Sequence, residues 1–135
     1  MVRKQGIAAQ ARDGVHGANG VLLMMIFKLC ARTAWEQAQQ DGVYTGAPID
    51  WADGFIHFSS RDQVQDTATK HFAFQDDLLL LAVESEALGD NLVWEVSRGG
   101  ALFPHLYRHL ALSEVAWAKP LMMRADGTHD FAGLL

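Results

Sequence analysis

The sequence predicts a single α+β domain over residues 25–135. Three observations carry that prediction. Two segments have the start signals of short helices, about five short segments read as strands, and the two kinds do not alternate as a dinucleotide-binding βαβ fold requires.

Met25 to Cys30 is the first strand, an apolar stretch interrupted by Lys28. Thr33 stands three residues before Glu36, a capping-box spacing that opens a helix through Gln40, and Gly42 supplies its stop. Val43 to Trp51, with Gly46 and Pro48, reads as a loop. Gly54 to Phe58 alternates as a strand, with Phe55, His57 and Ser59 on one face and Ile56 and Phe58 on the other. Ser60 and Gln63 form a second capping box, and Val64, Ala68, His71 and Phe72 follow at helical spacing. Leu78 to Val83 is apolar on both faces, the pattern of a central strand. After the turn signal Gly89-Asp90-Asn91, Leu92 to Val96 alternates again, with Leu92, Trp94 and Val96 on one side and Val93 and Glu95 on the other. Phe103-Pro104-His105-Leu106-Tyr107 is too disturbed by proline for a regular central strand. Val115 to Met122 supplies a last strand, broken at Pro120.

Composition narrows the function classes. Of 135 residues, 50% are hydrophobic and 20% charged, which suits a globular domain. No apolar run approaches the roughly 18–20 residues that span a bilayer. The net charge of −5 is uneven, with +2 on residues 1–24 and −7 on the rest. An acidic domain of this kind is expected to bind neither nucleic acid nor membrane, and an anionic ligand needs a local cationic pocket. Cys30, the only cysteine, rules out an internal disulfide and fits a reducing, cytoplasmic setting. Residues 1–24 read as a flexible extension or an overlong start before Met25, although basic residues ahead of Val21 to Phe27 superficially resemble a signal peptide.

Three positions stand out for chemistry. His57 lies on the polar face of its strand, and Ser59 and Ser60 lead into a helix N-terminus, whose free N–H groups suit a phosphate or a ribose hydroxyl. The alternative is a histidine hydrogen-bonded within a half-buried sheet. His105 and Tyr107 share a face if their segment is extended, offering a proton carrier and a flat surface; the alternative is a proline-shaped loop anchored by apolar contacts. Glu95, a carboxylate in an apolar strand, needs a partner or a watery edge. A zinc set of His57, His105 and His109 lacks the helix-pair spacing of common sites, so no metal is expected.

The motifs Asp53-Gly54-Phe55-Ile56-His57-Phe58-Ser59-Ser60, Gln63-Val64 with Thr67, Asp77 to Leu81, Leu92-Val93-Trp94-Glu95 and Phe103 to Tyr107 resemble the bacterial domain-of-unknown-function family nine-five-two. The resemblance covers about Met25 to Gly127 and implies an ADP-ribosyltransferase-like fold: two small antiparallel sheets and a few short helices around a cleft that can take NAD or a related phosphate ester. It implies that His57 holds the ribose, that Tyr107 stacks on the nicotinamide and that Glu95 stabilises an oxocarbenium-like centre; the residue pattern adds His57 and His105 as catalytic candidates and Ser59 and Ser60 as binding ones. The sequence departs from the family pattern at Arg108-His109, where Gly-Pro usually stands; the change either adds a cation for phosphate or reflects a relaxed loop. Three functional readings follow. The first is a nucleotide-binding module without chemistry, the second an ADP-ribosyl- or phosphotransferase-type enzyme with NAD as substrate, and the third a structural or partner-binding domain. The oligomeric state and the acceptor are not set by the residues.

Overall fold

The computed structural model describes residues 15–16 and 22–135. In chain order the elements are β1 (Val15–His16), β2 (Leu22–Leu23), β3 (Met25–Ala31), α1 (Arg32–Asp41), β4 (Val43–Tyr44), α2 (Pro48–Asp53), β5 (Ile56–His57), β6 (Ser59–Ser60), α3 (Arg61–His71), β7 (Leu78–Glu84), β8 (Leu92–Val96), β9 (Leu102–Leu106), β10 (Leu110–Ala111), β11 (Val115–Met123) and β12 (His129–Asp130). Short 3₁₀ turns link β7 to β8, β8 to β9 and β10 to β11. The fold is α+β, with every strand pairing antiparallel.

Two sheets dominate. One has five strands in the order β12-β11-β7-β3-β6, and the other has three, β5-β9-β8. The six apolar residues of β7 explain the layering. Leu79, Leu81 and Val83 join a core with Ile56, Leu92, Trp94 and Leu106 of the three-stranded sheet. Leu78, Leu80 and Ala82 join a second core with Val64 and Ala68 of α3. A strand buried on both faces reads as a continuous apolar run unless a buried charge finds a partner, and β7 is the central strand that the sequence predicts. At about 25 cal/mol per Å², each fully buried leucine of this strand contributes roughly 1.5–3 kcal/mol.

Several expectations need correction. The first helix forms, but its N-cap is Ala31 with no side-chain cap, so the Thr33–Glu36 box is not its start. The region read as a loop holds β4 and α2. Pro48 opens α2 at a position where its missing N–H is no loss, so here proline marks a helix start. His71 ends α3 on the exposed side, while Val64 and Ala68 form its buried stripe. Gln63 fulfils its predicted role, since its Oε1 accepts the Ser60 N–H at 3.0 Å.

Pro104 sits inside β9, the middle strand of its sheet. Its carbonyl accepts the Phe58 N–H at 3.0 Å, so its backbone polar groups face β5 rather than β8. Because β5 ends at His57, the absent N–H of Pro104 breaks no ladder bond there. Pro120 likewise does not break β11, which pairs with β7 from Val115 to Leu121. On the other flank of β11, β12 pairs only with Met122 and Met123. The reading of residues 1–24 as a flexible extension lies largely outside the described residues. Met24 itself is buried in the core.

Candidate functional site

Alternation along three short strands builds the site. Ile56, Leu92, Trp94 and Leu106 turn one face of the three-stranded sheet to the core, so the intervening residues share the other face. His57 and Val93 both pair with His105, one from each side. Glu95 then lies diagonal to His105, within reach of a long side chain.

His105 Nδ1 is 2.8 Å from Glu95 Oε1, and the Tyr107 hydroxyl donates to the same oxygen at 2.7 Å. A carboxylate only accepts, so the neutral His105 ring carries its proton on Nδ1 and its lone pair on Nε2. Burial pushes the His105 pKa down despite the Glu95 bond that opposes it. Burial alone would raise the Glu95 pKa, but the hydrogen bonds from His105 and Tyr107 outweigh it and hold the carboxyl below its usual range. The same bond pushes Tyr107 up to about 12.

Behind His57 lies a group that the sequence reading missed. Asp50, 2% exposed, accepts the Lys28 ammonium on both oxygens at 3.0 and 2.8 Å. Its Oδ1 also meets His57 Nδ1 at 2.6 Å and the His57 backbone N–H at 3.1 Å, and its Oδ2 takes the Ala47 N–H at 2.7 Å. Burial alone would raise its pKa; the bonds from His57, Lys28 and Ala47 reverse that and hold Asp50 at about 2. Burial pushes the Lys28 ammonium down, against the pull of Asp50.

Asp53 closes the other side of His57, with Oδ2 2.9 Å from Nε2. A neutral imidazole can donate to only one of these carboxylates, while its cation can donate to both. Gly46 makes room for the cluster: its φ is +113°, and a Cβ there would come within 2.9 Å of Asp50 Cβ.

Two signals in the sequence point to this group. Lys28 breaks an otherwise apolar strand, and it is 6% exposed in mid-β3. Asp50 stands at the third position of a helix opened by Pro48, where an acidic side chain can reach back to the cap N–H. Their pairing across 22 residues is a tertiary contact that no local spacing reveals.

Phe55 packs into the middle of the cluster. Its ring stacks on His105 with centroids 4.0 Å apart, and lies 4.6 Å from His57 and 5.2 Å from Tyr107. His57 and His105 meet edge-on at 5.4 Å. The structure therefore brings together His57, His105, Glu95 and Tyr107 of the predicted residues.

Ser59 and Ser60 do not join them. The chain leaves the three-stranded sheet at Phe58, and both serines pair with β3 in the five-stranded sheet. They are 5% and 6% exposed, with Ser59 Oγ 3.1 Å from Thr67 Oγ1 and the Ser60 N–H taken by Gln63. Two-residue alternation fails once a strand changes sheets. Arg108 is not a free cation either. Glu114 grips it through two 2.8 Å bonds, and the Leu88 and His109 carbonyls accept from it.

A family model described as "Protein of unknown function (DUF952)" matches residues 29–118. The chain belongs to that family. The crystal structure of protein CC0527 from Caulobacter crescentus is similar at 50% sequence identity with a TM-score of 0.77, covering 79% of this chain and 94% of that one. The solution NMR structure of CC0527 is similar at 49% identity with a TM-score of 0.74, covering 82% and 96%. No curated protein matches the chain. Among the described residues, no helix is long and apolar enough to cross a membrane.

Proposed function

We propose that the DUF952 domain of this chain binds a small, ring-bearing polar ligand of nucleotide type at the His57–His105 cluster. The observation that carries the reading is the convergence of two histidines, each tied to a carboxylate through Nδ1, beside the Tyr107 ring, with Phe55 stacked on the face of His105 that a flat ligand ring would take. Aromatic faces suit a flat base, and His105 Nε2 and the Asp53 carboxylate beside His57 suit sugar hydroxyls. The two antiparallel sheets, joined by the crossover at Phe58, are compatible with an ADP-ribosylation-like arrangement around this face.

Phosphate recognition has little support in the same cluster. Lys28 is committed to Asp50 and Arg108 to Glu114, so neither is offered to a phosphate. Phe55 holds the place that a flat ring would take against His105, and a ligand ring enters by displacing it.

Thermal-shift titrations with NAD⁺, ADP-ribose, adenosine and a 2′-phosphorylated nucleotide test this reading. A ligand at a hundred times its Kd stabilises by about 2.7 kcal/mol. The expected result is a shift that His57→Gln and Tyr107→Ala both weaken at least tenfold in ligand concentration. The absence of a shift with all four compounds, or a shift that both variants leave intact, refutes it.

A second reading, acid–base chemistry on the bound ligand, has one observation in its favour. Glu95 takes both of its bonds on Oε1, and the neutral His105 ring has its lone pair on Nε2, the arrangement of a carboxylate-oriented base. If NAD⁺ is turned over, Glu95→Gln lowers the rate by roughly 100-fold with little change in binding. Equal rates in variant and wild type remove Glu95 from the mechanism.

A further inference from the structure

A concavity of about 320 Å³ lies beside α1, and none of Phe55, His57, His105 and Tyr107 lines it. Its size falls within the roughly 300–1,000 Å³ of small-molecule pockets. Leu29, Ala34, Ala38 and Phe72 give it apolar walls, with the Trp51 indole at the side. The Trp51 Nε1–H is already spent on the Thr45 carbonyl at 3.1 Å, so the indole offers its apolar face to an occupant.

The charge of the lining is one-sided. Among the described residues that line it, Asp41 is the only charged one, and no Lys, Arg or His is present. Gln37 donates to both Asp41 oxygens at 3.2 Å, which fixes the carboxylate at the C-terminal end of α1. That helix end carries partial negative charge, and its last turn holds no basic side chain to offset it.

We infer that this cavity binds a small amine with an apolar body, the body between α1 and Trp51 and the ammonium beside Asp41. The proposal is independent of the reading of the histidine cluster. The loop that closes the cavity gives its occupant a route to that cluster, because Gly46 and Ala47 both line it and the Ala47 N–H donates to Asp50.

The test compares octylamine, octanol and octanoate, each below its micelle-forming concentration, by amide-shift titration of the intact protein. Octylamine should produce saturable shifts centred on Ala34, Ala38, Thr45 and Gly46, and should bind more tightly than octanoate. Asp41→Asn, an exposed substitution that leaves the fold in place, should weaken octylamine by roughly two- to fivefold, the worth of a solvent-exposed ion pair. Ala34→Phe fills the cavity from the helix and should abolish the shifts. Octanoate binding as tightly as octylamine overturns the amine assignment. Shifts scattered outside the lining, or no saturable response to any of the three compounds, overturn the site.

Discussion

Replacing Asp50 with asparagine keeps the shape of the side chain and removes the charge on which Lys28, His57 and Ala47 converge. The immediate consequence is a lysine ammonium, 6% exposed, without its counter-ion. Breaking a buried pair from one side costs about 3–5 kcal/mol. Two effects place Asp50→Asn at the lower end. Burial already pushes the Lys28 pKa down, so Lys28 can shed its proton, and the asparagine carbonyl still accepts one bond.

A loss of about 3 kcal/mol is a large part of the 5–15 kcal/mol that holds a typical domain together, and corresponds to a fall in Tm of roughly 10 °C. The pH dependence adds a signature. Asp50 is held at about 2 against an ordinary 3.8, so its folded pKa lies below its unfolded one. Its contribution is full above pH 4 and is lost as pH falls through about 2, an acid limb worth roughly 2 kcal/mol that the variant lacks. Urea unfolding at pH 7 and at intervals down to pH 2.5 measures both. Lys28→Met combined with Asp50→Asn should be more stable than Asp50→Asn alone, because the stranded charge is gone. A single variant within 1 kcal/mol of wild type, or a double variant that loses the sum of the two singles, refutes the account.

Glu95→Gln should move two neighbours downward at once. Tyr107, pushed up to about 12 by the Glu95 bond, should ionise near the ordinary value of about 10 in an ultraviolet titration. His105, already lowered by burial, should lose the support of the carboxylate and fall further in an NMR titration; an unchanged value for either residue contradicts the hydrogen bonding described. Phe55→Ala should vacate the face of His105 and raise affinity for an aromatic ligand such as adenosine by several-fold, whereas reduced affinity would make Phe55 part of the binding surface. The Cys30 thiol, buried and pushed up to about 11, should resist alkylation at pH 8 in the native protein and react once urea unfolds it; rapid native labelling would contradict the packing of β3.

Periodicity and cap chemistry made much of the fold legible. The run from Leu78 to Val83 marks a central strand because only a strand covered on both faces can be apolar at every position. The alternation of Leu92 to Val96 places Glu95 on the polar face, and the helix begun at Ser60 and Gln63 buries Val64 and Ala68. The same alternation sets His57 on the polar face of its strand, and His105 and Tyr107 on one face of theirs when that segment is extended.

By itself, then, the sequence determined the α+β class, the positions of the long strands, and the polar faces of the strands that carry His57 and Glu95. These depend on the backbone repeat and on whether neighbouring side chains can be buried together. Only the tertiary structure decided where the chain changes sheets, which withdrew Ser59 and Ser60 from the site, and where Pro104 could enter a middle strand. It also decided that Lys28 and Asp50 meet beneath His57 and that Glu114 occupies Arg108. Such contacts depend on distances between remote segments, and a buried charge becomes stable only when the fold brings it a partner.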